Sequence, residues 1–436
     1  MNWSPSYLEL PDEVKQFSSA QYRQAYGLID AARYPSGLYA DAYHTLEGRP
    51  GQMGSIAATG VGLIGLAIAH VEGWDPDARP KLRQTLEAVT AAEAGPGGPV
   101  ARDPASGFFY HFYDGTTGAA WPGSEVSTVD TSILVAGALF ASRLVGPADP
   151  AVTRLAEKLL HSIDWSLAVT PDGRAVYMCI EEGRGTNPNR PFSEYALVSW
   201  LAHEVHPDRP HVAALWHEVY HPDRVHALRY VEYKGLRLFG QVRPDGTPEF
   251  LPSFVTQFPL YLIPAYAENA AYHEILADHC AADRLSWRAA GDVPAYIWGH
   301  GAGSNSGLPP ERSGYRVDRI GSSSGVASAY IVAGFLPVHP EGIYDMYELY
   351  TRHVSVEREH ERKDAVHAEK LRAAYRFGLG RFSWSDWQAG NPWYPRRVTV
   401  VDWSTMLYGL AAFHRGLGLF GSAPGDITER TAPERV

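Results

Sequence analysis

Apolar helical stretches built from small residues recur along this chain, and no other feature constrains its fold as strongly. They are rich in Ala, Gly, Ser and Leu and lack the charged face of a surface helix, so each is predicted to be buried on both sides. The six stretches cover residues 55–74, 127–144, 193–206, 252–271, 325–335 and 401–417. More polar stretches with a 3.6-residue period separate them. These cover residues 80–94, 149–168, 209–220, 272–290, 341–354 and 365–375.

Buried and half-exposed helices thus alternate about six times, at intervals of roughly 50–70 residues. This pattern predicts an all-α fold, an (α/α)6 barrel in which helical hairpins close into a ring with the small-residue helices inside. Strand signals are short and lie in loops, at residues 184–185, 236–242 and 397–401, which predicts small β-hairpins over one mouth. Closed barrels keep such lengths as one unit. We therefore expect a single catalytic domain over residues 1–420 and a flexible tail over residues 421–436.

Charge and cysteine content exclude several classes of protein. The net charge is −11, with 49 acidic residues against 38 Lys and Arg, whereas nucleic acids and anionic membranes require a basic surface. Cys179 and Cys280 are too few for a disulfide framework, and no histidine or cysteine spacing matches a zinc site, so neither metal nor cofactor is expected. The chain shows no signal-peptide pattern and no apolar run of ~18 residues. We expect a cytoplasmic protein with an uncharged ligand and no nucleic-acid or membrane partner.

The loops before the apolar helices carry most of the polar and aromatic residues. They cover residues 34–54, 104–125, 177–190, 236–251, 296–324 and 382–397. In a ring of hairpins they all open at one end, which is therefore the predicted site. Aromatic residues are mixed there with Asp, Glu, His and Asn, in GFFYHFYDG, AAWPGSE, YIWGHGAG, FSWSDW and NPWYP. Flat rings beside such polar groups match the apolar face and the hydroxyl rim of a sugar, which indicates a carbohydrate ligand.

Three carboxyl groups at helix starts are candidates for hydrolysis of a glycosidic bond, which needs one protonated and one ionised carboxyl group. They are Glu125 and Asp130 in EVSTVD and Glu194 in PFSEYAL. Asp130 could equally be a helix cap, and a carboxylate in a first helical turn is often simply favourable electrostatics. Aromatic residues surround Glu194 in the sequence, however. The resulting desolvation should raise its pKa toward that of a general acid.

An ordered set of motifs resembles one enzyme family. SGLYAD, SIAATGVGLIGLAIAHVEGW, GFFYHFYDGTTG, SEVSTVDTSILVAGALFASRL and PFSEYALVSWLA, followed less closely by LFGQ, FVTQFPLYLI, AADRLSW and VDWSTMLYGLAAF, span roughly residues 30–417. This set is similar to the glycoamylase-like family of bacterial (α/α)6 enzymes, which includes β-1,2-glucan-hydrolysing enzymes and a domain of cyclic β-1,2-glucan synthases. The resemblance implies that Glu125 and Glu194 are cleft carboxylates and that Asp41 in GLYADAY and Asp402 in VVDWST occupy further matching places. Asp402 is thereby a fourth catalytic candidate.

The chain departs from this family in two substrate loops. A Gly-Pro-Gly-Tyr type of segment is replaced by WGHGAGSNSGLPPERSGYRVDRIGSSSG, and the Asp-Phe-Arg stretch after LFG is missing. Substrate contacts are predicted from all the mouth loops: Asp41, Tyr110, His111, Trp121, Tyr195, Gln257, Trp298, His300, Tyr315 and Trp393.

These observations together predict a glycoside hydrolase acting on a neutral glucan, with β-1,2-glucan as the expected substrate. Two alternatives stay open. One is a non-hydrolytic barrel enzyme, namely a sugar epimerase, a lyase or a dehydratase-isomerase. The other is a carbohydrate-binding barrel that has lost its chemistry. Nothing in the sequence determines the oligomeric state.

Overall fold

A computed structural model of the protein describes residues 4–91, 100–190, 192–307, 314–355 and 365–422. The tail predicted for residues 421–436 lies outside the described residues from position 423 onward. The helices, in chain order, are α1 (Pro5–Leu8), α2 (Asp12–Ala31), α3 (Ile56–Glu72), α4 (Ala78–Thr90), α5 (Thr128–Val145), α6 (Pro150–His161), α7 (Ala196–Val205), α8 (Pro210–Ala214), α9 (Ser253–Leu262), α10 (Pro264–Ala267), α11 (Ala270–Ala289), α12 (Ala329–Gly334), α13 (Gly342–Leu349), α14 (Ala365–Ala374), α15 (Trp384–Gln388) and α16 (Val400–Arg415). Short 3-10 or π turns cover Trp165–Ala168, Leu215–Tyr220, Pro222–Ala227, Tyr350–Val354 and Leu417–Phe420.

Six helices form the interior: α3, α5, α7, α9, α12 and α16. Each contacts the next in this order, and α16 contacts α3, so the contacts run in a closed ring. A second layer packs outside them, with α4 on α3, α6 on α5, α8 on α7, α11 on α9 and α13 on α12. The six interior helices coincide with the six apolar stretches of the sequence, because a helix covered on all sides has no polar face. The prediction of a predominantly helical chain is confirmed.

Small residues let the interior helices approach one another closely. A Cβ atom on Gly60 of α3 would lie 2.4 Å from the carbonyl oxygen of Ile133 in α5, and one on Gly137 would lie 2.3 Å from the carbonyl oxygen of Gly60. Gly409 of α16 approaches the carbonyl oxygen of Ala333 in α12 in the same way. Any side chain at these positions would force the helices apart. The helix α5 is long and apolar enough to cross a membrane, but 72% of it is buried against the rest of the protein, as expected of a core helix.

The sequence pattern missed one outer helix. We expected the sixth outer helix at residues 365–375, where α14 lies, but the helix that packs against α16 and α3 is α2. Its buried residues, among them Val14, Phe17, Tyr22 and Ala25, follow the three- and four-residue spacing of an amphipathic helix. Polar residues between these positions make the helix less apolar than the interior ones, so a pattern of apolar stretches does not reveal it.

The strands are short and pair antiparallel in sheets of two or three: β1 (Ala42–His44), β2 (Arg49–Pro50), β3 (Met53–Ser55), β4 (Phe112–Asp114), β5 (Val126–Ser127), β6 (Val176–Glu181), β7 (Arg184–Asn189), β8 (Tyr230–Tyr233), β9 (Leu236–Val242), β10 (Pro248–Phe250), β11 (Ala302–Ser304), β12 (Tyr315–Val317), β13 (Val326–Ser328), β14 (Arg381–Ser383) and β15 (Arg397–Thr399). No closed sheet occurs among the residues that the structure describes. All three short strand signals of the sequence correspond to strands in loops.

Four of these strand pairs join neighbouring loops at the mouth. β13 pairs with β14, β15 with β1, β3 with β4 and β5 with β6. Each pair links the loop before one interior helix to the loop before the next, so five of the six loops form a continuous belt. In the loop before α9, the described strands β8, β9 and β10 pair only with one another.

Candidate active site

A cavity of about 510 Å³ lies at the N-terminal ends of the interior helices. Its walls are Asp41, Met53, Ser55, His111, Phe112, Val129, Asp130, Ile133, Glu194, Phe254, Phe258, Tyr315, Arg397, Thr399, Val401 and Asp402. Six of the predicted site residues are therefore brought together here: Asp41, His111, Asp130, Glu194, Tyr315 and Asp402. The mouth loops do converge at one end, because each interior helix begins there.

Glu194 lies two residues before α7, on one side of the cavity. The preceding aromatic residue, Phe192, is buried and stacks on Phe239 with 4.4 Å between ring centroids. Burial raises the pKa of Glu194 to about 7, and the negative charge of Asp130 adds to this rise. A carboxyl group with a pKa near 7 is still protonated in a large share of the molecules at neutral pH and can donate a proton to a leaving group.

Asp402 is the third residue of α16 and is buried, with 5% of its surface exposed. Burial raises its pKa to about 7, because the opposing charge of Arg381 does not offset the lost hydration. The Tyr315 hydroxyl donates a 3.3 Å hydrogen bond to Asp402 Oδ1. In the ring order α7 and α16 are three positions apart. Glu194 and Asp402 therefore reach the cavity from opposite sides.

His111 connects two further carboxyl groups. Its Nδ1 lies 2.8 Å from Glu125 Oε1 and its Nε2 lies 3.4 Å from Asp130 Oδ1. Burial lowers the pKa of His111, but the charges of Asp130 and Glu125 outweigh this, so that the pKa is raised overall. The hydrogen bond from His111 lowers the pKa of Glu125, whereas burial raises that of Asp130. Glu125 itself stands behind His111, outside the cavity wall.

A basic residue that the sequence analysis missed also lines the cavity. Arg397 Nη2 lies 2.6 Å from Asp41 Oδ2. Its position in the sequence could have identified it, because it is the last residue of the mouth loop predicted before an interior helix. The two basic side chains among the described wall residues, Arg397 and His111, both contact carboxyl groups. Acidic groups therefore dominate the cavity.

Three predicted substrate contacts do not line the cavity: Gln257, Trp298 and His300. All three are at most 2% exposed, and each is tied to another part of the protein. Gln257 Nε2 donates to the Ile331 carbonyl at 3.0 Å, and Trp298 Nε1 donates to Asp345 Oδ2 at 2.8 Å. Trp298 and His300 lie in a mouth loop as predicted, whereas Gln257 lies within α9.

Four other predicted residues lie near the mouth without forming the cavity wall. Tyr110 and Trp121 are half-buried, and Tyr195 is 7% exposed. Trp121 forms a backbone hydrogen bond to Phe112, which does line the cavity. Trp393 lines a separate cavity of about 340 Å³.

His300 is expected to contribute to stability. Its Nδ1 lies 3.0 Å from the fully buried Asp283, which also accepts a 2.9 Å hydrogen bond from the Ser253 hydroxyl. We expect His300→Ala to lower the free energy of unfolding by about 3 kcal/mol, because a buried carboxylate would lose a partner. Urea unfolding measures this change. A normal unfolding curve with a lower kcat/KM would instead assign His300 to substrate binding.

Comparison with known proteins identifies similar structures. No protein-family model and no curated protein match the chain. An endo-β-1,2-glucanase from Chitinophaga pinensis, solved with sophorotriose and glucose, superposes with a TM-score of 0.72 and 18% identity, over 94% of this chain and 96% of that one. A presumed glucoamylase from Bacteroides fragilis has a TM-score of 0.72 and 19% identity, over 95% of both chains.

A fungal endo-β-1,2-glucanase, from Talaromyces funiculosus and bound to sophorose, is more distant. Its TM-score is 0.62 and its identity 10%, over 93% of this chain and 85% of that one. A Glu→Gln variant of the fungal enzyme has also been solved, with β-1,2-glucan. The chain thus shares its fold, over nearly its whole length, with bacterial and fungal β-1,2-glucanases.

Proposed function

We propose that the protein is a glycoside hydrolase that cleaves a neutral glucan, with Glu194 as general acid and Asp402 as general base. One observation carries the proposal: two carboxyl groups with pKa values of about 7 face one cavity from opposite interior helices. Glycosidic hydrolysis requires two such groups on either side of the bond. A pKa near the working pH suits both proton donation and proton abstraction.

The architecture we propose is an (α/α)6 barrel. The closed order of contacts among the six interior helices and the outer helix packed on each of them support it. In this arrangement the cavity occupies one mouth of the barrel. The carboxyl groups then sit on helix starts that cannot move independently, which favours a fixed catalytic geometry.

In the proposed reaction Glu194 protonates the glycosidic oxygen while the bond to the anomeric carbon breaks. A water molecule attacks that carbon and gives its proton to Asp402, whose position across the cavity leaves room for the water. Positive charge develops on the sugar ring in the transition state. Asp41 and Asp130 line the same cavity and stabilise that charge.

The charge of the cavity supports a neutral sugar. The carboxylates of Asp41, Asp130 and Asp402 would repel a uronic acid, and the basic wall residues already contact carboxyl groups. This disfavours a lyase of acidic sugars. The substrates bound by the Chitinophaga and Talaromyces enzymes support β-1,2-glucan as the chain's substrate.

A panel of soluble glucans tests the proposal. The protein is incubated with β-1,2-, β-1,3-, β-1,4- and α-1,4-linked glucans, and products are sized by mass spectrometry. We expect short oligosaccharides from β-1,2-glucan. Release of glucose from α-1,4-glucan would instead indicate a glucoamylase. Turnover of uronic-acid polymers alone would refute the proposal, and glucan binding without new reducing ends would indicate a catalytically silent barrel.

The pH dependence of kcat/KM should be bell-shaped with its maximum near pH 7. Glu194 must be protonated, so activity is lost as the pH rises above its pKa of about 7. Asp402 must be ionised, so activity is lost as the pH falls below its own pKa of about 7. Initial rates at low substrate concentration between pH 4 and 10, a range of about three pH units on either side, measure the two limbs.

Of the two limbs of this profile, Asp130→Asn should shift the alkaline limb and leave the acid limb in place. The charge of Asp130 raises the pKa of Glu194. Its removal therefore lowers that pKa, and activity should decline at a lower pH than in the wild type. If Asp130 were itself the base, the variant would lose about 10²-fold or more in kcat at every pH.

A further inference from the structure

The cavity that contains Trp393 is separate from the catalytic cavity and has a volume of about 340 Å³. Its walls come from the last mouth loop, from Leu46 near β1, from the segment after β11 and from Lys370 of α14. The last mouth loop contributes Asn391, Trp393 and Arg396, and Asp386 of α15 completes that side. This cavity therefore opens at the same end of the protein as the catalytic cavity.

The two cavities share a wall. Arg397 lines the catalytic cavity, and Arg396, the residue before it, lines the second one. Successive side chains of an extended segment point to opposite sides and are only about 3.3 Å apart along the chain. This segment is held by hydrogen bonds from the Thr45 amide to the Arg396 carbonyl at 3.0 Å and from the Ser304 hydroxyl to the Arg397 carbonyl at 2.8 Å. The two cavities therefore lie on either side of this segment.

The chemistry of the second cavity matches a sugar. Trp393 is half-buried, and polar side chains surround it. Asp386 Oδ2 is buried and accepts no hydrogen bond from the described residues. An indole ring offers a flat surface for the C–H face of a pyranose. Asn391, Asp386 and Arg396 can exchange hydrogen bonds with its hydroxyl groups.

We infer that the Trp393 cavity is a distal subsite, which binds glucosyl units of the same glucan chain that the catalytic cavity cleaves. This inference rests on the proposed function, because it assigns a polymeric substrate to the enzyme. The subsite contributes affinity only for chains long enough to reach across the shared wall. Oligosaccharides that fill the catalytic cavity alone gain nothing from it.

Trp393→Ala tests the subsite through chain length. We expect KM for long β-1,2-glucan to rise about tenfold, as for loss of an aromatic contact at a binding surface. kcat, and kcat/KM for the shortest cleaved oligosaccharide, should stay close to wild type. Trp393→Phe, which keeps a flat ring, should restore most of the affinity. Equal effects on short and long substrates, or no effect, would overturn the inference.

A binding measurement separates the subsite from catalysis. The Glu194→Gln protein, with and without Trp393→Ala, is run on native gels that contain each intact glucan of the panel. If a glucan retards the Glu194→Gln protein and Trp393→Ala abolishes this retardation, the subsite is supported. This holds even if the wild type hydrolyses no glucan, a result that would refute only the proposed function. Trp384→Ala is the matched control, since this half-buried indole lies in another cavity. The subsite is overturned if no glucan retards the protein or if Trp393→Ala leaves the retardation unchanged. It is also overturned if Trp384→Ala reduces the retardation as much as Trp393→Ala does.

Discussion

Glu194→Gln should remove nearly all turnover while leaving the protein folded. Glutamine keeps the shape of the side chain but has no proton to give to the leaving oxygen. General acid–base groups contribute on the order of 10²–10⁴-fold, so kcat should fall by at least 10²-fold. KM should change little, because contacts to the ground state persist. Steady-state kinetics on the glucan identified by the panel provide the measurement.

Stability separates this catalytic effect from unfolding. The pKa of Glu194 is raised by burial, so its ionised form is disfavoured in the folded protein. Glutamine removes that penalty, and the variant should be at least as stable as the wild type above pH 7. Glu204→Gln, near the C-terminal end of the helix that follows Glu194, is the matched control and should keep full activity, since Glu204 bonds to Trp200 away from the cavity. If Glu194→Gln keeps more than about a tenth of wild-type kcat, the acid is another carboxyl group.

Asp402→Asn should cause a loss of similar size. Asparagine cannot take the proton of the attacking water, so kcat should fall by about 10²-fold or more. The remaining activity should also lose its acid limb, because the group that titrates there is gone. Rates measured from pH 4 upward, about three units below the pKa, provide both results. An intact acid limb in the variant would contradict the assignment of Asp402 as base.

Tyr315→Phe should affect the same carboxyl group with a smaller loss of activity. The Tyr315 hydroxyl bonds to Asp402 and lowers its pKa. Without this hydrogen bond the pKa of Asp402 should rise, and the acid limb should move to higher pH while the maximal rate changes less. A shift toward lower pH, or a loss as large as that of Asp402→Asn, would show that Tyr315 acts in another way.

The positions of the interior helices and of the mouth could be predicted from the pattern of apolar residues in the sequence. Stretches such as residues 55–74 and 127–144 are apolar on every face, and only a position surrounded by other helices satisfies this. The glycines at 60 and 137 show why small residues recur there, since the helices meet backbone to backbone. The carboxyl groups at helix starts followed from the same pattern, because a ring places all the starts of its interior helices together.

The direction of individual side chains was less predictable. His300 belongs to the predicted mouth loop and Gln257 to the helix that follows one, but both side chains face neighbouring helices. Direction depends on helix rotation and on partners distant in sequence, such as Asp283, which no local pattern reveals. Arg397 shows the converse case, because its role in the cavity depends on pairing with Asp41, more than 350 positions away.

The belt of paired strands divides the rim of the mouth into two parts that differ in how well they can tolerate changes in loop length. Asp41, Asp130, Glu194 and Asp402 all belong to the five loops or helix starts that the belt joins, so a change in length in any of these loops would disturb several catalytic groups at once. The hairpin β8–β10 has no such partners among the described strands. Phe239 of β9 packs on Phe192 next to Glu194, but the turn at residues 243–247 is exposed, and insertions and deletions can accumulate in that turn at little expense to the catalytic geometry. Diversification of substrate length or branching within this fold therefore has an obvious place to begin, at residues 243–247.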